Sequence, residues 1–290
     1  MANNSKIKIR LQGHEKFALR EGWLNKGLIM VQNNPTIFQG KEGPDLLGIG
    51  SNMVKSLRYW LKAFGLIEES QSKGADLTNI GRLILENDPY FEDNFTIWLL
   101  HSNIVKNVTE ATSWYMFFNH VDAEDMEKDE IESILIREIR KYAVGVTFSE
   151  KSVGNDIDVL LNMYSKTKEK VDPEDKSNSP LSQLGLVKNV NGKYSKCHPD
   201  RRKINEWNVL YELSLVLRER ESISIEDVIG GENGLAKTYH LTAIAANEYL
   251  DILDAYGFIR VNRTAGLDVI YKAKDFSAES IVEEYYKKQR

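Results

Sequence analysis

Apolar residues recur three and four positions apart through most of this chain, which predicts a mainly helical protein with small β-hairpins. In HEKFALREGWLNKGLIMVQ (14–32), Phe17, Leu24, Leu28 and Val31 predict a first helix. Pro35 pushes Asn34 out of helical geometry, and GKEGPDLLGIG breaks and re-enters. Ser51 is placed to cap a helix over 52–64, which Gly65 ends. GLIEESQSKGADLT predicts a hairpin turning at Ser72–Gly74, and LTNIGRLILEN a further helix. Two helices, a capped third and a hairpin directly behind it follow the order of a winged helix.

Three helical patterns follow within 91–165, the last with Ile131, Leu135, Ile139 and Tyr142 on one face. Trp98, Trp114, Phe117 and Phe118 are large enough to be core, and that reading is preferred to a base-stacking platform. KTKEKVDPEDKSNSP (166–180) is charged and proline-bearing, hence a loop or linker, and Asn191-Gly192 marks a hairpin in LGLVKNVNGKYSK. The C-terminal third repeats the opening outline: EWNVLYELSLVLRE, SIEDVIGG, a helix ending at Gly257, and a hairpin with Gly266 in its turn. The expected organisation is a winged-helix-like DNA-binding segment (1–90), a helical middle (91–165), a linker and hairpin (166–204), and a second winged-helix-like domain with a helical tail (205–290).

Within GIGSNMVKSLRYWLKAFGLIEE (48–69) two rows run side by side. Val54, Leu57 and Leu61 make an apolar face; Lys55, Arg58 and Lys62 repeat its spacing one residue later. Ser51 and Asn52 stand at the N-terminal tip, whose free N–H groups favour anions. A third helix of this kind reaches phosphates or guanine edges in the major groove, whereas the plain alternative is a solvated surface. Net charge is −5, which argues against a uniformly basic coat, yet residues 1–64 hold ten Lys/Arg against four Asp/Glu. Residues 119–135 reverse this, with seven acids and one lysine. The corresponding C-terminal helix carries Glu248, Asp251 and Asp254 with no Lys or Arg between 242 and 256, so it is expected to repel phosphates and to dock a protein or a second copy. Arg260, Arg263 and Lys272 leave a basic wing as the alternative.

The single Cys197 excludes an intrachain disulfide framework and a cysteine zinc cluster, which fits a reducing cytoplasm. MANNSKIKIRLQGHEKF has no apolar signal core, and FTIWLLHSNIV is too short to span a membrane. GIGSN is not a nucleotide loop, because Met53 stands where a glycine is required and no GxxxxGK[ST] occurs; ATP chemistry is left to a partner. His14-Glu15 lacks a zincin's second histidine, since Ala18 occupies that place, and no serine elbow occurs. GNDIDVLLNMY (154–164) sets Asp156 and Asp158 two apart. Two carboxylates can hold Mg²⁺ or Mn²⁺ for phosphodiester cleavage. The plain alternative is a helix start, with Asp156 as cap and Asp158 in the first turn.

GHEKFALREGWLNKG, IGSNMVKSLRYWLKAFGLIEE, EATSWYMFFN, VGNDIDVLLNMY and SPLSQLGL, in this order over nearly the whole chain, resemble the SspB-like family. This is a bacterial domain-of-unknown-function family of phosphorothioate DNA-modification and defence loci. The resemblance implies work on double-stranded DNA beside a cysteine desulfurase, an ATPase and a sulfurylating enzyme, with nicking that makes the backbone accessible. It makes His14, Asp156 and Asp158 catalytic candidates, the two aspartates also metal ligands. Arg20 and Lys26 join Ser51, Asn52, Lys55, Arg58 and Lys62 as candidate DNA contacts. The alternatives are a non-catalytic adaptor or regulator-like protein that recruits the modification enzymes, and a scaffold with no DNA contact.

Overall fold

A computed structural model describes residues 7–165 and 179–290; the expected linker core (166–178) lies outside the described residues. The chain is mainly helical with small antiparallel sheets. Its first third holds α1 (Trp23–Asn33), α2 (Gly43–Leu47), α3 (Ser51–Ala63), the hairpin β1 (Ile67–Ser70) and β2 (Gly74–Leu77), and α4 (Asn79–Asn87). The middle holds α5 (Asn94–Lys106), α6 (Thr112–His120), β3 (Met126–Glu127), α7 (Lys128–Tyr142) and α8 (Glu150–Ser165). Then come a 3₁₀ turn (Pro180–Leu184), β4 (Val187–Val190) and β5 (Lys193–Lys196). The last third holds α9 (Glu206–Val216), β6 (Ser222–Ser224), α10 (Ile225–Gly230), α11 (Leu235–Thr238), α12 (Ala243–Ala255), β7 (Ile259–Asn262), β8 (Val269–Lys272) and α13 (Ala278–Gln289).

Three sheets stitch these segments. β1 pairs with β2, β3–β5–β4 form a second sheet, and β6–β8–β7 a third. The second sheet joins the middle helices to the 187–196 hairpin, whose Asn191 and Gly192 both take positive φ, as an Asn-Gly turn requires. One apolar cluster runs through all the segments, with Trp60, Trp98 and Trp114 among its largest fully buried members. Phe117 and Phe118 are also buried, so this aromatic group is core, as expected.

Two elements differ from the sequence reading. The expected helix over 14–32 begins only at Trp23; residues 7–22 form an irregular strap with positive φ at Gln12, Glu15 and Lys16. Some of its backbone donors go to side chains: Gln12 N–H to Asp156, and Lys16 N–H to His14 Nδ1. A Cβ at Gly13 would lie 2.3 Å from the Tyr59 ring, so the strap is seated against α3 where only glycine fits. The second difference is α8, which starts six residues before Asp156 and places it mid-helix, not at a cap. A Cβ at Gly154 would sit 2.9 Å from Glu132 Oε1, marking the close approach of α8 to α7.

Candidate nucleic-acid interface

Both rows of α3 are present. Val54, Leu57 and Leu61 are buried, each worth about 1.5–3 kcal/mol of apolar burial, while Lys55 and Arg58 are exposed and Lys62 half-buried. The expected Ser51 cap is not made: Gly50 is the N-cap, without a side-chain hydrogen bond, and Ser51 and Asn52 are exposed in the first turn. That end of α3 therefore keeps its N–H groups free for an anion. Lys55 Nζ donates to Asn52 Oδ1 at 3.3 Å, and exposed Lys26 holds its ammonium 3.9 Å from the position a Gly48 Cβ would take, over the turn that leads into α3.

Farther along, the row meets two carboxylates that its own spacing does not show. Arg58 forks onto Glu69 of β1, with Nε and Nη2 donating at 2.5 and 2.9 Å. Lys62 lies 3.4 Å from Glu69 and 3.8 Å from Glu110. Glu110 also receives Lys8 at 3.2 Å and Arg10, both from the strap. Burial raises the Glu69 carboxyl, but the hydrogen bond and charge of Arg58 and the charge of Lys62 outweigh it and hold it below its usual value. The Lys8, Arg10 and Lys62 cations do the same for Glu110 against its own burial. Lys8 and Arg10 escaped the sequence reading, although KIKIR (6–10) alternates cation and isoleucine in a way that presents charge on one side. Arg20 shares no cleft with the row. It lies over Trp23 and lines a 420 Å³ cleft with Tyr90, Glu92 and Gln183.

The residues expected to be catalytic are divided by the fold. His14 and Asp156, 142 positions apart, meet in the core: His14 Nε2 donates to Asp156 Oδ1 at 2.8 Å. Lys16 N–H donates to Nδ1, which fixes that tautomer. Gln12 N–H reaches the same Asp156 oxygen at 2.7 Å, and Ser113 Oγ donates to the other at 2.6 Å. The His14 ring stacks on Trp60 at 5.8 Å, with Tyr59 and Trp114 at its edges. This is a sealed clasp that ties the strap to α8 and α6. Asp158, two residues on and hence on the opposite side of the helix, is exposed and pairs with Lys128 at 2.5 Å. The carboxylate pair expected to share a cation is thus not brought together, and no group of three or more His, Cys, Asp or Glu among the described residues is arranged to hold a metal.

The C-terminal copy shows what a neutralised version of this surface looks like. α3 and α12 have the same length and both end in a left-handed glycine, Gly65 and Gly257. The acids of α12 are each met by an arginine: Glu248 by Arg201, Asp251 by Arg263 at 2.6 Å, and Asp254 by Arg260 at 3.8 Å. Arg260 and Arg263, the residues of the basic-wing alternative, lie against the acids of α12 in this way. Lys272 likewise pairs with Asp275.

A helical protein with paired small sheets and an N-terminal cationic face is the class these observations define. Residues 11–286 match the family described as Protein of unknown function (DUF4007), and the chain belongs to that family. Two solved structures share its fold: an SspB crystal structure and a magnesium ion-bound SspB crystal structure. Each is 23% identical, with a TM-score of 0.84; they cover 96% of this chain, which in turn covers 87% and 88% of theirs. The resemblance to the SspB-like family is borne out. No curated protein sequence matches the chain. No helix among the described residues is long and apolar enough to cross a membrane.

Proposed function

We propose that this chain is the duplex-binding component of a bacterial DNA phosphorothioation system, holding DNA through a winged-helix-like N-terminal segment. The observation that carries this reading is the outward row of Lys55, Arg58 and Lys62 on the helix that precedes a hairpin. The succession α1, α2, α3, β1, β2 supports that reading, and the contact Ala75 N–H to Pro35 O at 2.8 Å stands where a winged helix carries its first strand. The C-terminal copy, with the complete β6–β8–β7 order and a neutralised third helix, is suited to hold protein. Its partners in such a system are a cysteine desulfurase, an ATPase and a sulfurylating enzyme. The test is titration of a fluorescent duplex at 0.1 M salt. Replacing Lys55, Arg58 and Lys62 by Ala should weaken binding by at least about tenfold; equal affinity would reject this helix as the contact.

A second reading, DNA nicking, is supported by the fold shared with a magnesium-bound SspB. The aspartates of this chain do not fit that ion: Asp156 is buried with both oxygens accepting hydrogen bonds, and Asp158 is turned to Lys128. Supercoiled plasmid incubated with the protein and Mg²⁺ or Mn²⁺ separates the two readings. Open circles that persist in Asp158→Ala support nicking by residues other than Asp158; plasmid that stays supercoiled supports binding alone.

A further inference from the structure

Four cations converge on two carboxylates between the strap, α3, β1 and the turn after α5. Lys8 and Arg10 lie on Glu110, Arg58 on Glu69, and Lys62 between the two. The carboxylate side chains are the covered partners, at 14% and 15% exposure, while the cations range from 25% to 65%. An anion arriving from solvent meets the cations first. Arg58 already makes the two parallel bonds that a phosphodiester's oxygens would accept, and Lys62 stands ready to share its charge with either side. The strap is not free to drift from this place. Arg10 N–H donates to Thr112 Oγ1 at 2.9 Å, and two residues later the Asp156 clasp fixes Gln12 and His14.

We propose that Glu69 and Glu110 stand in for backbone phosphates in the free protein, and that Lys8 and Arg10 extend the phosphate track of α3 across them. This rests on the duplex-binding reading above and names its outer residues and its brake. DNA phosphates exchange for the two carboxylates, so binding starts from paired cations and is weaker and less salt-dependent than four free cations would give. A weak, brake-limited grip suits a protein that must not coat DNA indiscriminately.

The test compares Glu69→Gln/Glu110→Gln with the control Glu42→Gln/Glu68→Gln. The control removes two exposed carboxylates of the same segment that pair with no cation among the described residues. Glutamine keeps the shape and drops the charge. The first variant should bind a duplex oligonucleotide about three- to tenfold tighter than the control at 0.1 M salt, with a log–log salt slope steeper by about 1–2 units. Lys8→Ala/Arg10→Ala should flatten the wild-type slope by a similar amount. Should the double variant lose its circular-dichroism melt, the single Gln variants decide, each tightening binding against its single control.

A Gln pair no tighter than the control overturns the brake, and an unchanged Lys8/Arg10 slope overturns the extended track. If Lys55→Ala/Arg58→Ala/Lys62→Ala still loses binding in either case, duplex binding by α3 stands alone. If wild type and every variant leave duplex unbound, both inferences fall together.

Discussion

Asp156 shows how one residue can look like chemistry and act as architecture. Its carboxylate accepts from Gln12, His14 and Ser113 in a site closed by three aromatic rings. Removing it strands three donors, two of them buried, so Asp156→Ala should lower the unfolding free energy by about 3–5 kcal/mol, read as a shift of the urea midpoint. A shift below about 1 kcal/mol would mean the clasp holds nothing. The sequence displayed the carboxylates and the histidine but could not display the clasp, since its members lie far apart in the chain. It did hold one clue: residues two apart in a helix point to opposite sides, so once α8 runs through 156–158 the pair cannot share an ion. What hid this was the helix start assumed at Asp156, whereas α8 already runs through Gly154, which packs against α7.

At the scale of elements, amphipathic helices were legible and the irregular strap was not. α3 declared both its faces because each follows the helical period, and the Asn-Gly hairpin and the α7 stripe were equally plain. The strap contains the same apolar spacing as a helix, but its backbone is bound by distant side chains, which no local pattern records. His101 is a second long-range join. It lies in α5, accepts from Tyr164 of α8 at Nδ1 (2.7 Å) and donates from Nε2 to the Thr238 carbonyl of α11 (2.6 Å). Burial pushes its pKa from 6.5 to about 3, against the raising effect of the Thr238 bond. The ring stays neutral in the fold while the unfolded chain takes up a proton below about 6.5. Its contribution is therefore complete above that pH and declines as pH falls toward 3, by up to about 1.4 kcal/mol per pH unit. In urea titrations at pH 7.0 and 5.0, His101→Gln should lose less stability between the two than wild type; identical losses would remove this residue from the acid response.

Across the whole molecule, two helix-then-hairpin outlines, α3 with β1–β2 and α12 with β7–β8, carry a basic and an acidic row and are joined through a common core. α13 packs on α9 and closes the chain back on the first half through α4, with Tyr286 bonding Thr96 and Tyr285 bonding Asp93. The duplication was legible from the glycine-ended helices and hairpins, and so was the contrast between Lys55, Arg58 and Lys62 and the acids of α12. The pairing of those acids with Arg201, Arg260 and Arg263 came only from the fold, as did Glu69 and Glu110 beneath the basic row. The central claim is that α3 faces DNA phosphates while α12 does not. It is tested most directly by the dependence of duplex affinity on salt, measured for wild type, for Lys55→Ala/Arg58→Ala/Lys62→Ala, and for Arg260→Ala/Arg263→Ala. Each phosphate neutralised contributes about 0.9 to the log–log slope through released counterions, so the α3 variant should flatten it by about 2–3 units and the second variant should leave it unchanged. A slope that ignores the α3 substitutions, or that responds to the pair behind α12, would contradict the account.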